Sequence, residues 1–347
     1  MNKVRGRQER TPVGWMVVHG LIASAIGIAV GLSIHWFPTR ASTQAKAIDH
    51  LWDVLIVVTV PVFVTVMIIV LFSVVNFRMR PGEENLDGPP IHGSTKLEII
   101  WTATPAIMLV VLCSYAWVVL NDIEKVPASE MRVNVTGQQF AWSFEYPQAG
   151  GKPVKSNQLV LPENQPVRFY VKALDVIHDF WVPAFRMKID AVPGIETKYR
   201  ITPNRLGTYP VVCAELCGLG HSVMRSRATV VTPTAFKSWI ASKTAPAAAA
   251  GGGGAAAGPD GKQIFADSGC SGCHTLADAS ASGTTGPDLD KVLAGKDAAF
   301  IKASILTPSA SIAPGFPDNV MPKDYGDTLS PAEVDALVAY LGKVAGK

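Results

Sequence analysis

Three long apolar runs dominate the first third of the chain. Each has 22 residues without Asp, Glu, Lys or Arg: Trp15–Trp36, Val54–Val75 and Ile99–Leu120. A helix of that length spans about 33 Å, enough to cross the hydrocarbon core of a bilayer. Pro61 and Pro105 interrupt the second and third runs, and membrane helices tolerate proline better than exposed soluble helices do. The pattern predicts membrane-spanning helices, in agreement with a mean hydropathy of +0.24.

The basic residues around these runs predict their orientation. Positive charge lies before the first run, in residues 2–10, and between the second and third, in residues 76–84 and at Lys96. Because positively charged loops stay on the cytoplasmic side, everything after Leu120 is expected outside the cytoplasm. The first run has two interpretations: a retained helix, or the apolar part of a cleaved signal peptide followed by "ASTQA". Both place the C-terminal part on the same side.

A change of pattern after the third run indicates further domains. From Met131 to residue 231, short stretches of β-branched and aromatic residues alternate with Pro, Gly and Asn, which predicts a β-sandwich or barrel. An Ala/Gly-rich linker follows, then a helical tail whose last helix has Ser330 as its expected N-cap. The predicted parts are an N-terminal segment with the first run (1–50), a transmembrane helical hairpin (51–121), a β domain (122–241), the linker (242–258) and a tail domain (259–347).

Charge divides unevenly between the β domain and the tail domain. Residues 122–241 hold 14 Lys and Arg against 10 Asp and Glu, a balance of +4, whereas residues 259–347 hold 7 against 11, a balance of −4. Opposite charges on two tethered domains favour docking of one on the other. The chain has no concentrated basic patch, so nucleic-acid binding is not predicted.

The stretch "CAELCGLGHSVM" belongs to a cluster of soft metal ligands. The members are two thiols, two imidazoles and a thioether: His178, Cys213, Cys217, His221 and Met224. Such ligands favour copper or zinc. The thiols and imidazoles suit one tetrahedral zinc ion, which would leave Met224 unused. They can instead hold two coppers, with each sulfur bridging both metals and each metal taking one histidine. Met224 and the carbonyl of Glu215 would then be weak outer ligands.

The stretch "CSGCH" at residues 270–274 is the attachment pattern of a c-type haem. Cys270 and Cys273 are expected to form thioethers to the haem, with His274 as the proximal iron ligand. No histidine follows His274, and Met321 is the only methionine after Met224. Met321 is therefore the expected second axial ligand.

The first cluster, on a β domain behind membrane helices, resembles subunit II of haem–copper cytochrome c oxidases. The likeness runs from about Leu51 to Val231 and includes a C-x-E-x-C-x3-H-x2-M pattern. It implies a cupredoxin-like Greek-key barrel, a binuclear copper centre and a neighbouring subunit I. It also implies that the Glu215 side chain reaches a magnesium ion at the boundary with subunit I. Asp190, in "KIDAVPG", would support that boundary. Glu98 in "KLEIIWTATPAIML" would lie at the mouth of a proton channel, or simply anchor a helix end.

The tail domain resembles class I cytochromes c, which are all-α. "GTTGPDLDKV" matches their loop in which a proline carbonyl, here that of Pro287, orients the axial histidine. The oxidase family's Q-W-x-W stretch is replaced by "QQFAWSFEY". Phe140 stands where the family's first tryptophan receives electrons from a separate cytochrome c, and Trp142 takes the second place. A phenyl ring is a poorer electronic bridge than indole, which puts input from a soluble donor in doubt. Both rings can also be core residues of a strand.

Together these features predict subunit II of a cytochrome c oxidase with a fused cytochrome c domain, in a bacterial cell membrane. Its haem c would take electrons from cytochrome c or a bc-type complex and pass them to two coppers. These would feed subunit I, where oxygen becomes water. Subunit III and membrane lipid are further expected partners. Two alternatives stay open: a subunit of a copper-containing nitric oxide reductase, and a non-catalytic zinc scaffold with a haem-bearing tail.

Overall fold

The computed structural model of the chain describes residues 12–79, 81–82, 92–244, 260–318 and 320–345. Residues 245–258 of the predicted linker (242–258), the basic N-terminal residues and part of the basic loop between the second and third apolar runs lie outside the described residues. The chain divides into two compact units. One comprises residues 1–36 and 47–123, and the other comprises residues 37–46 and 124–347.

Three helices make up the first unit: α1 (Val13–Ser33), α2 (Ala45–Asn76) and α3 (Thr95–Ile123). Each is long and apolar enough to cross a membrane by length and composition. Pro61 and Pro105 lie inside α2 and α3, which continue through them. Helix α2 begins before the predicted hairpin boundary at residue 51, because the amphipathic stretch "AKAIDHLWD" continues the helix of the apolar run.

Glycines of α1 allow it to pack closely on α2. A β-carbon at Gly27 would lie 2.8 Å from Val60, and one at Gly31 would lie 2.8 Å from Ile56. Small residues at such positions let two helix backbones approach closely. In membranes, where the hydrophobic effect does not drive helices together, this close packing stabilises helix pairs. The first apolar run therefore packs against the second as a helix.

The predicted β domain is confirmed, with more strands than the pattern shows. Its strands are β1 (Met131–Gln138), β2 (Ala141–Tyr146), β3 (Val154–Ser156), β4 (Leu159–Pro162), β5 (Val167–Ala173), β6 (His178–Val182), β7 (Met187–Ala191), β8 (Thr197–Ile201), β9 (Gly207–Cys213) and β10 (Arg225–Val231). They form two five-stranded sheets, in the orders β3-β2-β1-β5-β8 and β4-β10-β9-β6-β7. The pairs β1–β5 and β4–β10 are parallel and the others antiparallel.

The two sheets enclose an aromatic core. Phe144, Phe169 and Phe180 are fully buried, and the rings of Phe144 and Phe169 lie 6.0 and 5.6 Å from that of Phe180. Strand β9 pairs with both β10 and β6, with Cys213 opposite Phe180. This pairing brings the end of β9, the start of β6 and the loop before β10 to one place in the second sheet.

Helix α4 (Pro233–Thr244) closes the β domain and extends past the predicted linker boundary at residue 242. Its Trp239 packs edge-on against the buried Tyr146 of β2, with ring centroids 5.0 Å apart. Aromatic burial against the sheet gives this short helix its stability.

The tail domain is built mainly of short helices, as predicted. They are α5 (Gly261–Asp267), α6 (Cys270–Cys273), α7 (Leu289–Val292), α8 (Ala298–Leu306), α9 (Tyr325–Thr328) and α10 (Pro331–Val344). A small ladder of β11 (Thr275–Leu276) and β12 (Ala281–Ser282) accompanies them. Ser330 caps α10 as expected, in a capping box with Glu333. Helices α5 and α10 cross closely at Gly261, where a β-carbon would lie 2.3 Å from the Ala336 carbonyl oxygen.

Candidate metal and haem sites

The structure places the sulfurs of Cys213 and Cys217 side by side, 3.8 Å apart, without a disulfide. Cys213 ends strand β9, and Cys217 lies four residues on, in the ligand loop, our name for residues 213–224. Both cysteines are buried. Two thiols so close and shielded from water form a soft donor pair suited to copper or zinc.

A histidine lies beside each sulfur. His178 Nδ1 lies 4.0 Å from the sulfur of Cys213, and His221 Nδ1 lies 3.7 Å from that of Cys217. The donor atoms of His178, Cys213 and Cys217 all lie within 4.8 Å of one another. His221 is not a member of that closely spaced set. The two histidines therefore flank the sulfur pair separately.

The two expected outer ligands also flank the sulfur pair. Met224 Sδ lies 3.8 Å from the sulfur of Cys217, and the carbonyl oxygen of Glu215 lies 3.2 Å from that of Cys213. Met224 is fully buried, whereas the side chain of Glu215 is exposed. The backbone of Glu215, rather than its carboxylate, thus faces the donor cluster.

The surroundings of the two thiols shift their pKa values in opposite directions. Burial by itself raises the pKa of Cys213, but hydrogen bonds from His178 and from the backbone more than offset it and lower that pKa. Burial and the adjacent Cys213 raise the pKa of Cys217. One thiol is therefore disposed to ionise first, and a cation would be needed for both to ionise.

Two side chains hold the cluster from outside. Asp175 Oδ1 lies 2.9 Å from His178 Nε2, which leaves Nδ1 directed at the cysteines. Gln139 donates through its backbone N–H to Asp175 and through its side-chain amide to the carbonyl of Cys217, at 2.7 and 2.6 Å. Such contacts fix the orientation of metal ligands. Asp175 three residues before His178 was the available sequence signal, whereas nothing local pointed to Gln139.

Phe140 packs directly on the ligand loop. A β-carbon at Gly220 would lie 2.4 Å from its ring, and one at Gly218 would lie 3.2 Å from it. Gly218 also has a φ of +130°, a conformation that side chains rarely adopt. The two glycines allow the phenyl ring to lie against the loop backbone between Cys217 and His221.

The predicted haem ligands surround a cavity in the tail domain. Cys270 and Cys273 are free thiols on the short helix α6, and with His274 and Met321 they line the cavity. Its volume is about 430 Å³, in the range typical of cofactor pockets. Most of the remaining lining is apolar, including Leu, Ile and Phe side chains. The donors and the apolar walls fit a covalently held porphyrin.

His274 is positioned by the predicted proline. Its Nδ1 lies 2.8 Å from the carbonyl oxygen of Pro287, so this nitrogen carries the proton and Nε2 is free to bind iron. Burial lowers the pKa of His274, which favours the neutral ring that a metal requires. At Gly286 a β-carbon would lie 2.6 Å from the imidazole, so glycine is needed there.

The β domain supplies part of the cavity wall. Phe140, Ala141, Trp142, Asn157 and Arg225 line it together with the tail-domain residues. Gly272, inside the "CSGCH" stretch, lies close to Val223 of the ligand loop. A β-carbon at Gly272 would lie 2.8 Å from the Val223 side chain. Residues of the β domain and of the ligand loop therefore lie directly against the tail domain around this cavity.

Ion pairs join the positively charged β domain to the negatively charged tail domain, as the net charges predict. In each of those found among the described residues, the β domain supplies the cation and the tail domain the carboxylate: Lys155–Asp327 at 2.8 Å, Arg227–Asp267 at 2.7 Å and Lys243–Glu333 at 2.6 Å. Docking of the tail domain on the β domain is thus a property of the folded chain.

Two further predicted residues are Glu98 and Asp190. Glu98 is exposed in the first turn of α3, where its Oε1 accepts a hydrogen bond from the backbone N–H of Ser94 at 3.3 Å. This contact caps the helix. Asp190 is exposed on β7, and its carbonyl accepts a hydrogen bond from Thr197.

Three family models match successive parts of the chain. Residues 29–119 match the family model of the cytochrome c oxidase subunit II transmembrane domain, residues 152–231 that of its periplasmic domain, and residues 259–345 that of cytochrome c. The cytochrome c oxidase subunit 2 of Thermostichus vulcanus is 32% identical, over 65% of this chain and 84% of its own. That of Alkalihalophilus pseudofirmus is 29% identical, over 83% and 85%. A crystal structure of the periplasmic domain of subunit II from Bradyrhizobium japonicum is 33% identical, covering 34% of this chain and 96% of its own, with a TM-score of 0.32.

The helices, the cupredoxin-like β domain with its soft donor cluster and the cytochrome c domain define a membrane-bound respiratory electron-transfer protein. The predicted fold class is confirmed. The chain belongs to the cytochrome c oxidase subunit II family and carries a cytochrome c domain at its C-terminal end. It is a subunit of a terminal oxidase, and as subunit II it associates with subunit I of that complex.

Proposed function

We propose that the chain passes electrons from a haem c in its tail domain to a binuclear copper centre in its β domain. From there they reach subunit I, which reduces oxygen to water. The observation that carries this proposal is the paired arrangement of the donors, with two adjacent sulfurs and one histidine beside each. Copper in such a site shares one electron between two ions, with little rearrangement on reduction.

The spacing of the donors favours two metals over one. A single tetrahedral zinc ion would hold all four donor atoms about 3.3–3.8 Å apart, given zinc–sulfur and zinc–nitrogen bonds of about 2.3 and 2.0 Å. His221 falls outside the closely spaced set that contains His178. In a two-metal site Cys213 and Cys217 would bridge both ions and each ion would take one histidine. Met224 and the Glu215 carbonyl would complete the outer positions, a role that a zinc site leaves unexplained.

The tail domain would hold its haem through Cys270 and Cys273, with His274 and Met321 as axial ligands. A methionine ligand raises the potential of a haem, which suits electron delivery to copper. Pro287 orients His274 for this purpose. The lining residues Phe140 and Trp142 place the β domain against the haem cavity, so the transfer is intramolecular.

The docked tail domain covers the face on which the family receives a soluble donor. Phe140 lies under that face, against both the cavity and the ligand loop. We infer that cytochrome c or a bc-type complex delivers electrons to the haem c of the tail domain instead. Replacing Phe140 with tryptophan should leave oxidation of soluble cytochrome c unchanged, because the docked tail domain still covers the ring. A faster rate would show that soluble cytochrome c reaches this face and that the phenyl ring limits direct input.

An exposed apolar surface near the ligand loop supports the contact with subunit I. Leu216 and Leu219 are 78% and 98% exposed, and Ile177 and Ile195 are also exposed. Large exposed apolar side chains beside a functional loop are typical of an interaction surface. A magnesium ion at Glu215, support of that boundary by Asp190, proton uptake at Glu98, and contacts with subunit III and lipid stay predictions, as do the bacterial membrane and the extracytoplasmic side of both domains.

Metal analysis of the purified complex tests the proposal. Two coppers per chain at this site, one covalent haem c, and an EPR signal from one electron shared equally by two copper nuclei are expected. Cys217→Ser should abolish the shared-electron signal, whereas the exposed Ser222→Ala in the same loop should retain it. Zinc at the site, or one copper per chain, would refute the relay.

A further inference from the structure

Trp142 occupies a position between the haem cavity and a copper ligand. It lines the cavity from the β domain side. On its other side its ring lies edge-on to the imidazole of His178, with centroids 5.9 Å apart and planes at 66°. The side chain is 2% exposed. One indole therefore bridges the two places where the redox groups are proposed to bind.

A glycine on the neighbouring strand permits this contact. Gly137 of β1 pairs with Trp142 of β2. A β-carbon at Gly137 would lie 3.0 Å from both the indole Cζ3 and the imidazole Cδ2. Any other residue there would require one or both rings to shift by a few tenths of an ångström, so glycine leaves room for indole and imidazole to lie side by side over the strand.

Phe140 also lines the cavity but leads elsewhere. Its ring rests on the backbone of the ligand loop at Gly218 and Gly220. A path through Phe140 therefore enters the loop backbone between Cys217 and His221. The path through Trp142 runs from one aromatic ring to the next and ends on a ligand. Indole is also the better electronic bridge, being larger and more polarisable than phenyl.

We propose that Trp142 is the side chain through which the electron passes from the haem c to His178, and so to the copper pair. This inference rests on the function proposed above. With both groups bound, haem c would supply one electron as its iron goes from ferrous to ferric, and the copper pair would accept it, going from the mixed-valence state to two cuprous ions. No bond forms or breaks, and no proton moves. Trp142 serves as the medium of transfer and ends in its starting state.

The test is a flash experiment on the assembled, haem- and copper-loaded oxidase under anaerobic conditions. A flash-activated soluble reductant reduces the haem c, and reoxidation of the haem is followed together with the copper absorbance. Trp142→Leu should slow the transfer by about an order of magnitude, with the copper EPR signal and both reduction potentials unchanged. Trp142→Tyr, which keeps an extended aromatic ring, should recover most of the rate.

Phe180→Leu is the packing control, because the Phe180 ring is buried 5.4 Å from that of Trp142 and is absent from the described cavity lining. Its transfer rate should match the parent's. An unchanged rate in Trp142→Leu, or a larger loss in Phe140→Leu, would overturn the proposal. Should Trp142→Leu lose its copper signal, Trp142→Met, which fills more of the space without an aromatic ring, takes its place, and an unchanged rate there overturns the proposal equally. A parent enzyme without any haem-to-copper transfer would instead refute the proposed function.

Discussion

Lys243→Ala is expected to loosen the docking of the tail domain on the β domain. The ammonium of Lys243 lies 2.6 and 2.9 Å from the two carboxylate oxygens of Glu333, and the side chains are only 15% and 27% exposed. Exposed ion pairs contribute about 0–1 kcal/mol, and breaking a buried one costs about 3–5 kcal/mol. For this half-buried pair we expect about 1–2 kcal/mol, a factor of about 5–30 in the docking equilibrium.

Hydrogen exchange followed by mass spectrometry measures this change directly. Val223 and Gly272 face each other across the two domains, and the amides around them exchange when the domains separate. Their exchange rate follows the free energy of that opening. In Lys243→Ala the exchange around both residues should therefore rise by about 5–30-fold.

Lys302→Ala supplies a matched control. Lys302 pairs with Asp335, which lies on the same helix as Glu333, but both partners belong to the tail domain and are 47% and 64% exposed. Its loss should leave exchange around Val223 and Gly272 nearly unchanged. Equal exchange in the two variants would show that the Lys243–Glu333 pair does not hold the domains together.

Three further changes probe other contacts. Asp175→Asn removes the charge beside His178 and should lower copper affinity by about 10–100-fold, as measured by competition with a chelator; unchanged affinity would contradict its orienting role. Gly286→Ala crowds the His274 imidazole and should cost about 1–3 kcal/mol of stability, with a changed haem spectrum. A parent-like melting curve and spectrum would show that the site accommodates the methyl group. Burial by itself raises the pKa of Glu333. The hydrogen bond from Lys243 and its positive charge more than offset burial, so the pKa of Glu333 is lowered. The contribution of the Glu333 carboxylate to docking is thus fully present above the usual glutamate pKa of about 4.3. It is lost as the pH falls through the lower pKa that Glu333 has in the docked state. Interface exchange should accelerate only in that acid range, and an acceleration near neutral pH would contradict the assignment.

The candidate donor residues stand out in the sequence because metal and haem chemistry dictate local spacing. Cys213 and Cys217 lie in one short loop, and Cys270, Cys273 and His274 in another. The long apolar runs were equally plain, since a bilayer imposes a minimum length on an uncharged helix. The opposite charges of the two domains indicated their docking, although they did not indicate which residues pair.

The remaining features depend on contacts between distant parts of the chain. Strand β6 reads "HDFWV" and is buried at four of its five positions, so it lacks the alternation that marks a strand. Gln139 reaches Cys217 across 78 positions, and no local pattern encodes that hydrogen bond. The contribution of Trp142 and Asn157 to the haem cavity likewise arises only when the two domains dock.

Gly272 carries two constraints of different origin. The proposed haem attachment would use Cys270, Cys273 and His274 and would make no demand on the residue at 272. The close approach of Val223 does, because even a methyl group there would collide with it. A position that is free to vary in an isolated cytochrome is therefore fixed in this fusion. If another cytochrome were fused to this oxidase subunit, the residue at this position would decide whether the two domains can dock, before their surface charges could contribute.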